Sequence, residues 1–387
     1  MSAMKVLTIL GTRPEAIKLA PVILELEKRR ADAAIESVVC ITGQHRQMLD
    51  QALDLFGIVP RYDLDVMTGN QSPTQSASRI LAELEPILNQ EQPDWVLVQG
   101  DTTSAMAAAL AAFYASARIG HVEAGLRTGN KQQPFPEEIN RRVASVVADL
   151  HFAPTESAKQ NLLCENIPEQ DILVTGNPVI DAVYWAARMP FDYRSAGLEH
   201  LTAIPPATRL ILVTAHRREN FGIPLRNICL ALQQIASQYA DRVHIVYPVH
   251  MNPNVHEPVH DMLDGIANIT LTPPLDYLAL VQLLQRSYLV LTDSGGIQEE
   301  APALGVPVLV LREVTERPEA IKSGCVKLVG TGSKHIVAEV TRLLEDSEAH
   351  REMARPANVY GDGRAAQRIV GVLLGEPVQP FESEVGP

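Results

Sequence analysis

Short runs of Val, Ile and Leu alternate with amphipathic stretches of helical length, and the alternation runs twice along the 387 residues. No other feature constrains the fold as much. Continuous apolar runs separated by helices are the mark of βαβ units and of a parallel sheet buried on both faces. In the first series, strands are expected at residues 6–10, 38–42, 95–99, 119–123, 151–153 and 172–175. A less regular stretch follows Pro190 and ends in Ile204-Pro205-Pro206; the second series then places strands at 210–214, 243–248, 269–272, 288–292 and 306–311. Helices are expected at 15–30, 102–115, 137–148, 224–239, 275–286 and 298–304. Length agrees, since a domain of about 150 residues gives two to three domains. The division expected is an α/β protein with a doubly wound, Rossmann-like domain over 1–177 and a second over 178–362. A helix within 363–387 packs back on the first domain, followed by a frayed Pro- and Glu-rich tail from 377. Two open sheets of this kind place the ligand at the carboxyl ends of their strands, with the cleft between them as the natural site.

Charge and composition narrow the partners. Lys+Arg 33 against Asp+Glu 46 leaves a net charge of -13, which argues against a surface for nucleic acid or anionic membrane. Only 5% of residues are aromatic, so recognition by extensive ring stacking is not expected. Cys40, Cys164, Cys229 and Cys325 show no CxxC spacing, which reads as reduced thiols and neither a disulfide frame nor a zinc site. The apolar run at 6–10 is too short for a signal segment, and the alanine-rich run 105–117 falls short of a bilayer span, so a cytoplasmic protein is expected.

Candidate chemistry gathers at strand ends. The first strand runs into Gly11-Thr12-Arg13-Pro14, which is neither a dinucleotide fingerprint nor a P-loop. Arg13-Pro14-Glu15-Ala16-Ile17-Lys18 recurs identically as Arg317-Pro318-Glu319-Ala320-Ile321-Lys322, once in each half. Pro favours the first helical position, so each copy sets an Arg beside a helix N-terminus, where an anion is stabilised. Asp293-Ser294-Gly295-Gly296 follows a strand and precedes Glu299 and Glu300; adjacent glycines admit a phosphate, and a carboxylate one turn on can take ribose hydroxyls. Asp101, Glu123 and Glu137 follow apolar strands or a Pro-rich turn. Each alone reads more readily as structural than as catalytic, Asp101 as a cap for the helix at Thr102 and Glu137 as a first-turn acid, but three together suit acid–base work. His216 opens His216-Arg217-Arg218-Glu219-Asn220 at another strand end, suited to a leaving-group contact, and His250 holds a similar position. His256-Glu257-Pro258-Val259-His260 spells a zincin motif, but Pro258 belongs in a first turn, which places His256 at or before the helix start and argues against zinc.

Taken together, the segments 11–18, Gly100-Asp101-Thr102-Thr103, 121–128, Pro136-Glu137-Glu138-Ile139-Asn140-Arg141, Thr175-Gly176-Asn177-Pro178, 216–220 and 293–300 resemble the non-hydrolysing UDP-N-acetylglucosamine 2-epimerases. The resemblance runs in order over nearly the whole chain. It implies a glycosyltransferase-B-type fold, a homodimer, and interconversion of UDP-GlcNAc and UDP-ManNAc for surface polysaccharide supply, without cofactor or metal. By the same resemblance Asp101, Glu123, Glu137 and His216 are catalytic, and Arg13, Lys18, Ser294, Gly295, Gly296, Glu300 and Arg317 bind UDP. It also implies an activator site at Gln44 and Gln47, but Asn70 stands where an Arg is expected, and an amide cannot grip a diphosphate as Arg does. Weak allosteric activation is therefore expected. A hydrolysing epimerase, a glycosyltransferase and a non-catalytic nucleotide-sugar sensor are the competing readings.

Overall fold

The computed structural model describes residues 3–43, 46–66, 71–194, 196–315 and 317–383, with the side chains of 46 and 47 excepted. The chain forms two compact units, Met1–Ala182 with Tyr360–Pro387 and Val183–Val359. The first unit holds β1 (Met4–Leu10), β2 (Ile35–Ile41), β3 (Tyr62–Asp63), β4 (Trp95–Gln99), β5 (Arg118–Val122), β6 (Leu150–Ala153) and β7 (Ile172–Val174). They pair in the order β3-β2-β1-β4-β5-β6-β7, parallel throughout. The second unit holds β8 (Arg209–Thr214), β9 (Val243–Pro248), β10 (Ile269–Thr272), β11 (Leu289–Thr292), β12 (Val308–Val310) and β13 (Val326–Leu328), in the parallel order β10-β9-β8-β11-β12-β13. Each sheet is doubly wound: the order reverses between β1 and β4, and again between β8 and β11. In open sheets of this kind the loops leaving such neighbours diverge at the carboxyl ends, which is where ligands bind.

Why the strands are strands is visible in their burial. β4 is buried at every position and β8 at all but its two ends, as sheets covered on both faces require. The alanine-rich helix Thr103–Tyr114 lies against helix Pro73–Glu91, its small side chains allowing close approach; Thr102 caps it by accepting the Ala105 N–H at 3.0 Å. Helix Pro73–Glu91 starts at a capping box, in which Ser72 and Gln75 each accept the other's backbone N–H. Among the described residues, no helix is long and apolar enough to cross a membrane.

Several expectations need correction. Helices Arg46–Phe56 and Pro73–Glu91, strand β3 and strand β13 add to the expected elements. Proline proved a poor boundary marker, for Pro21, Pro86 and Pro302 all lie inside helices. Pro258 does too: its helix runs Pro253–Leu263 behind an Asn252 cap, so His256 sits within it and not at its start. The tail is not frayed over 377–383. Phe381 is buried, its N–H donates to the Val174 carbonyl at 2.7 Å, and Arg368 packs over its ring. Helix Ala365–Leu373 packs on helix Arg13–Ala33 within the first unit.

Candidate active site

In the first unit, two of the strand ends and one helix start bring the acidic candidates into one neighbourhood. Glu123 follows β5 with φ 62, a left-handed conformation that costs a non-glycine residue about 1–3 kcal/mol and persists only where its surroundings impose it. Those surroundings include three side chains that donate to its carboxylate. Lys18 Nζ donates to both carboxylate oxygens at 2.7 and 2.6 Å, Asn177 Nδ2 donates to Oε1 at 3.0 Å, and Gln99 Nε2 donates to Oε2. Gly100 lies against this carboxylate, so the next residue, Asp101, begins beside it. Asp101 is partly exposed and held from behind: Arg141 Nη2 donates to its Oδ2, and Asn140 Nδ2 donates to its carbonyl at 3.0 Å.

Glu137 opens the helix Glu137–Val147 that supplies Asn140 and Arg141. Spacings of three and four residues place all three on one helix face, and Glu137 is half-buried. Its neighbour Glu138 is fully buried and does different work. It accepts from the Thr128 and Gly129 N–H groups at 3.1 Å and from Arg141 and Arg142 at 3.3 Å, which pins the loop after β5.

One buried carboxylate ties this neighbourhood to the end of β1, and a buried imidazole joins β5 to the turn after β4. Glu15 accepts the Gly11 N–H at 3.1 Å and the Thr102 hydroxyl at 3.0 Å. Burial pushes its carboxyl up to about 7, against hydrogen bonds from Thr12, Thr102 and Gly11 that favour the charged form. His121 donates from Nε2 to the Gly100 carbonyl at 2.8 Å, and burial holds its imidazole down to about 3, hence neutral. Lys18, expected near a diphosphate, pairs with Glu123 at the edge of this neighbourhood, and Arg13 is half-exposed with Nη1 3.9 Å from the Met48 sulfur.

In the second unit the turns after β8 and β11 are held by a buried aspartate. Asp293, fully buried after β11, accepts at Oδ2 from the His216 and Arg217 N–H groups at 2.8 Å and from Asn220 Nδ2 at 2.9 Å. This fixes the loop after β8. The His216 ring stacks on His250, with centroids 5.4 Å apart, and its Nδ1 lies 3.5 Å from Asp293 Oδ1. Partial burial lowers the His216 pKa below its ordinary value; Asp293 opposes that shift, and His250 and Arg217 add to it. Ser294 donates its N–H to Thr292 Oγ1 at 2.9 Å, and Gly295 is overlain by the Arg317 guanidinium. Arg317 is held there by Glu299, which accepts from Nε at 2.6 Å, while Glu300 is buried beside Gly296. Thus Arg317, Ser294, Gly295, Gly296 and Glu300 meet at one turn.

Asn70, Gln44 and the side chain of Gln47 lie outside the described residues. Among those described, no group of three or more His, Cys, Asp or Glu could hold a metal ion. Gln99, Asn140, Arg141, Asn177 and Asp293 carry no role in the reading of the sequence. The available signal is positional: Gln99 and Asp293 are polar residues ending or following buried strands, and Asn140 and Arg141 share the helical face of Glu137.

Two Rossmann-like units, each with polar side chains gathered at its switch point, define an enzyme of the glycosyltransferase-B-type fold. Comparisons with known proteins make this specific. The chain matches the family model described as UDP-N-acetylglucosamine 2-epimerase over residues 27–374. It is 53% identical over 378 residues to the UDP-N-acetylglucosamine 2-epimerase of Yersinia pestis, covering 97% of this chain and 100% of the relative. Against that of Escherichia coli K12 the identity is 52% over 373 residues, covering 96% and 98%. The crystal structure of UDP-GlcNAc 2-epimerase from Neisseria meningitidis bound to UDP-GlcNAc matches with a TM-score of 0.88 at 49% identity, covering 96% of this chain and 100% of that one. The chain belongs to the UDP-N-acetylglucosamine 2-epimerase family and is an isomerase.

Proposed function

We propose that the protein interconverts UDP-GlcNAc and UDP-ManNAc by eliminating UDP and adding it back, with 2-acetamidoglucal as the intermediate. The proton on carbon-2 is not acidic in the substrate, because no carbonyl adjoins that carbon. Once the bond from carbon-1 to the diphosphate oxygen breaks, its electron pair leaves with UDP and the sugar becomes an oxocarbenium ion. A carboxylate then takes the carbon-2 proton, and the electrons of that C–H bond form the double bond of the glucal. A second acid returns a proton to carbon-2 from the opposite face, and UDP adds back to carbon-1. Two proton-transfer groups are needed, with cations to hold the leaving diphosphate.

The observation that carries this reading is the neighbourhood of Glu123 and Asp101, two carboxylates fixed by Lys18 and Arg141 on adjacent strand ends. Glu137, on the helix of Arg141, completes the set of acids. His216, whose pKa burial lowers, is assigned to the leaving group. Arg13, Arg317 and the turn Ser294-Gly295-Gly296 are assigned to the diphosphate and Glu300 to the ribose. No redox cofactor is called for by this chemistry.

The reading extends to a cytoplasmic homodimer supplying surface polysaccharide precursors. Exposed apolar side chains on the first unit, Phe113, Tyr114 and Val146, support a second copy as partner, which light scattering would test. The activity is tested by incubating the purified chain with UDP-GlcNAc and resolving the products by ion exchange. UDP-ManNAc with the nucleotide still attached is expected; free ManNAc and UDP would contradict the reading in favour of hydrolysis.

A further inference from the structure

Asn177 stands at an unusual place in the chain. It lies five residues before the first unit ends at Ala182, and its backbone N–H donates at 2.6 Å to the carbonyl of Tyr360, the residue where the chain returns. The outgoing and returning segments are packed without slack. A Cβ on Gly176 would come 3.0 Å from Gly361 Cα, Arg368 donates to the Thr175 carbonyl at 3.2 Å, and the Asp181 carboxylate accepts the Ala365 and Ala366 N–H groups at 3.2 and 3.0 Å. From this junction the buried side chain of Asn177 reaches Glu123, donating to Oε1 at 3.0 Å. Its Oδ1 meanwhile accepts the Val179 N–H at 3.3 Å, an Asx turn of local structural use.

We infer that Asn177 is a positioning residue, holding the Glu123 carboxylate from the point where the chain crosses out of the first unit and back. This rests on the epimerase reading, in which Glu123 moves a proton. A carboxylate that must meet one carbon–hydrogen bond loses rate when its orientation loosens, even with the binding of the nucleotide unaltered. Lys18 and Gln99 remain as donors in the absence of Asn177, so the effect is on alignment and falls short of abolition.

The two roles of the side chain separate in two variants. Asn177→Ser keeps an acceptor for the Val179 N–H but cannot reach Glu123. Asn177→Asp keeps the Asx turn and the size but replaces the donor by an acceptor. With kcat and KM for UDP-GlcNAc measured beside the Kd for UDP and the thermal midpoint, both are expected to lose at least tenfold in kcat. The UDP Kd should stay within twofold. Should the buried charge of Asn177→Asp prevent folding, Asn177→Ser alone decides. Folded Asn177→Ser with kcat within twofold of wild type overturns the inference alone, because wild-type turnover leaves the epimerase reading in place. A wild-type protein that binds UDP but never turns over overturns that reading, and the inference with it.

Discussion

Glu15 and Glu319 sit in identical hexapeptides and end in different surroundings. Glu15 is buried under Gly11 and Thr102, while Glu319 is half-buried on a short helix; Lys18 reaches Glu123, while Lys322 is exposed. Tertiary neighbours, not local sequence, decide what such residues do. For Glu15 the consequence is a stability that depends on pH. Its carboxyl titrates near 4.5 when unfolded and at about 7 when folded, so the fold favours the protonated form. That contribution is fully present below 4.5 and is lost as pH rises through 7. Glu15→Gln, which stays neutral, should therefore gain on wild type between pH 5 and pH 8, by up to about 3 kcal/mol. Thermal melts of both proteins at the two pH values check this; an unchanged difference would contradict it. The acidic candidates were legible because a carboxylate directly after an apolar strand has little packing use. Their partners were not: Asn177 and Lys18 lie 54 and 105 residues from Glu123, and nothing local to either marks the meeting.

At the scale of elements, the turns after strands carry the clearest constraints. Gly125, in the turn after β5, has φ 92, and a Cβ there would lie 2.2 Å from the Ala158 carbonyl oxygen at the start of helix Glu156–Cys164. Backbone cannot yield as a flexible side chain does, so Gly125→Ala should destabilise the protein by more than about 2 kcal/mol, read as a lowered midpoint in urea. Gly295 differs in kind. The atom its Cβ would meet, at 2.6 Å, is Nη1 of Arg317, a movable group. Gly295→Ala should leave stability nearly unchanged yet displace the guanidinium, raising the UDP Kd by roughly tenfold, about 1.4 kcal/mol, by calorimetry. An unaltered Kd would remove Arg317 from the nucleotide site. Strands were legible because burial on both faces writes continuous apolar runs. Helices such as Pro73–Glu91 were obscured by interior prolines: Pro86 forfeits one backbone hydrogen bond, which the packing of Ile80, Leu84, Ile87 and Leu88 outweighs. The same error misplaced the start of helix Pro253–Leu263.

For the whole molecule, the recurrence of one winding pattern explains where function gathers. Both sheets reverse their order at the strand that begins them, and candidate residues lie immediately after β1, β4, β5, β8 and β11. That much follows from alternation in the sequence, since open parallel sheets expose their carboxyl ends to ligands. Which sugar carbon reacts does not follow from alternation; it rests on the pairing of acids in the first unit and on kinship with the 2-epimerases. The central claim is that a proton leaves and returns at carbon-2 while UDP is off the sugar. Proton NMR of the purified protein with UDP-GlcNAc in deuterated water tests this most directly. A second nucleotide-sugar anomeric signal should appear, with deuterium at carbon-2 in both sugars; epimerisation that keeps the original proton at that carbon would contradict the account.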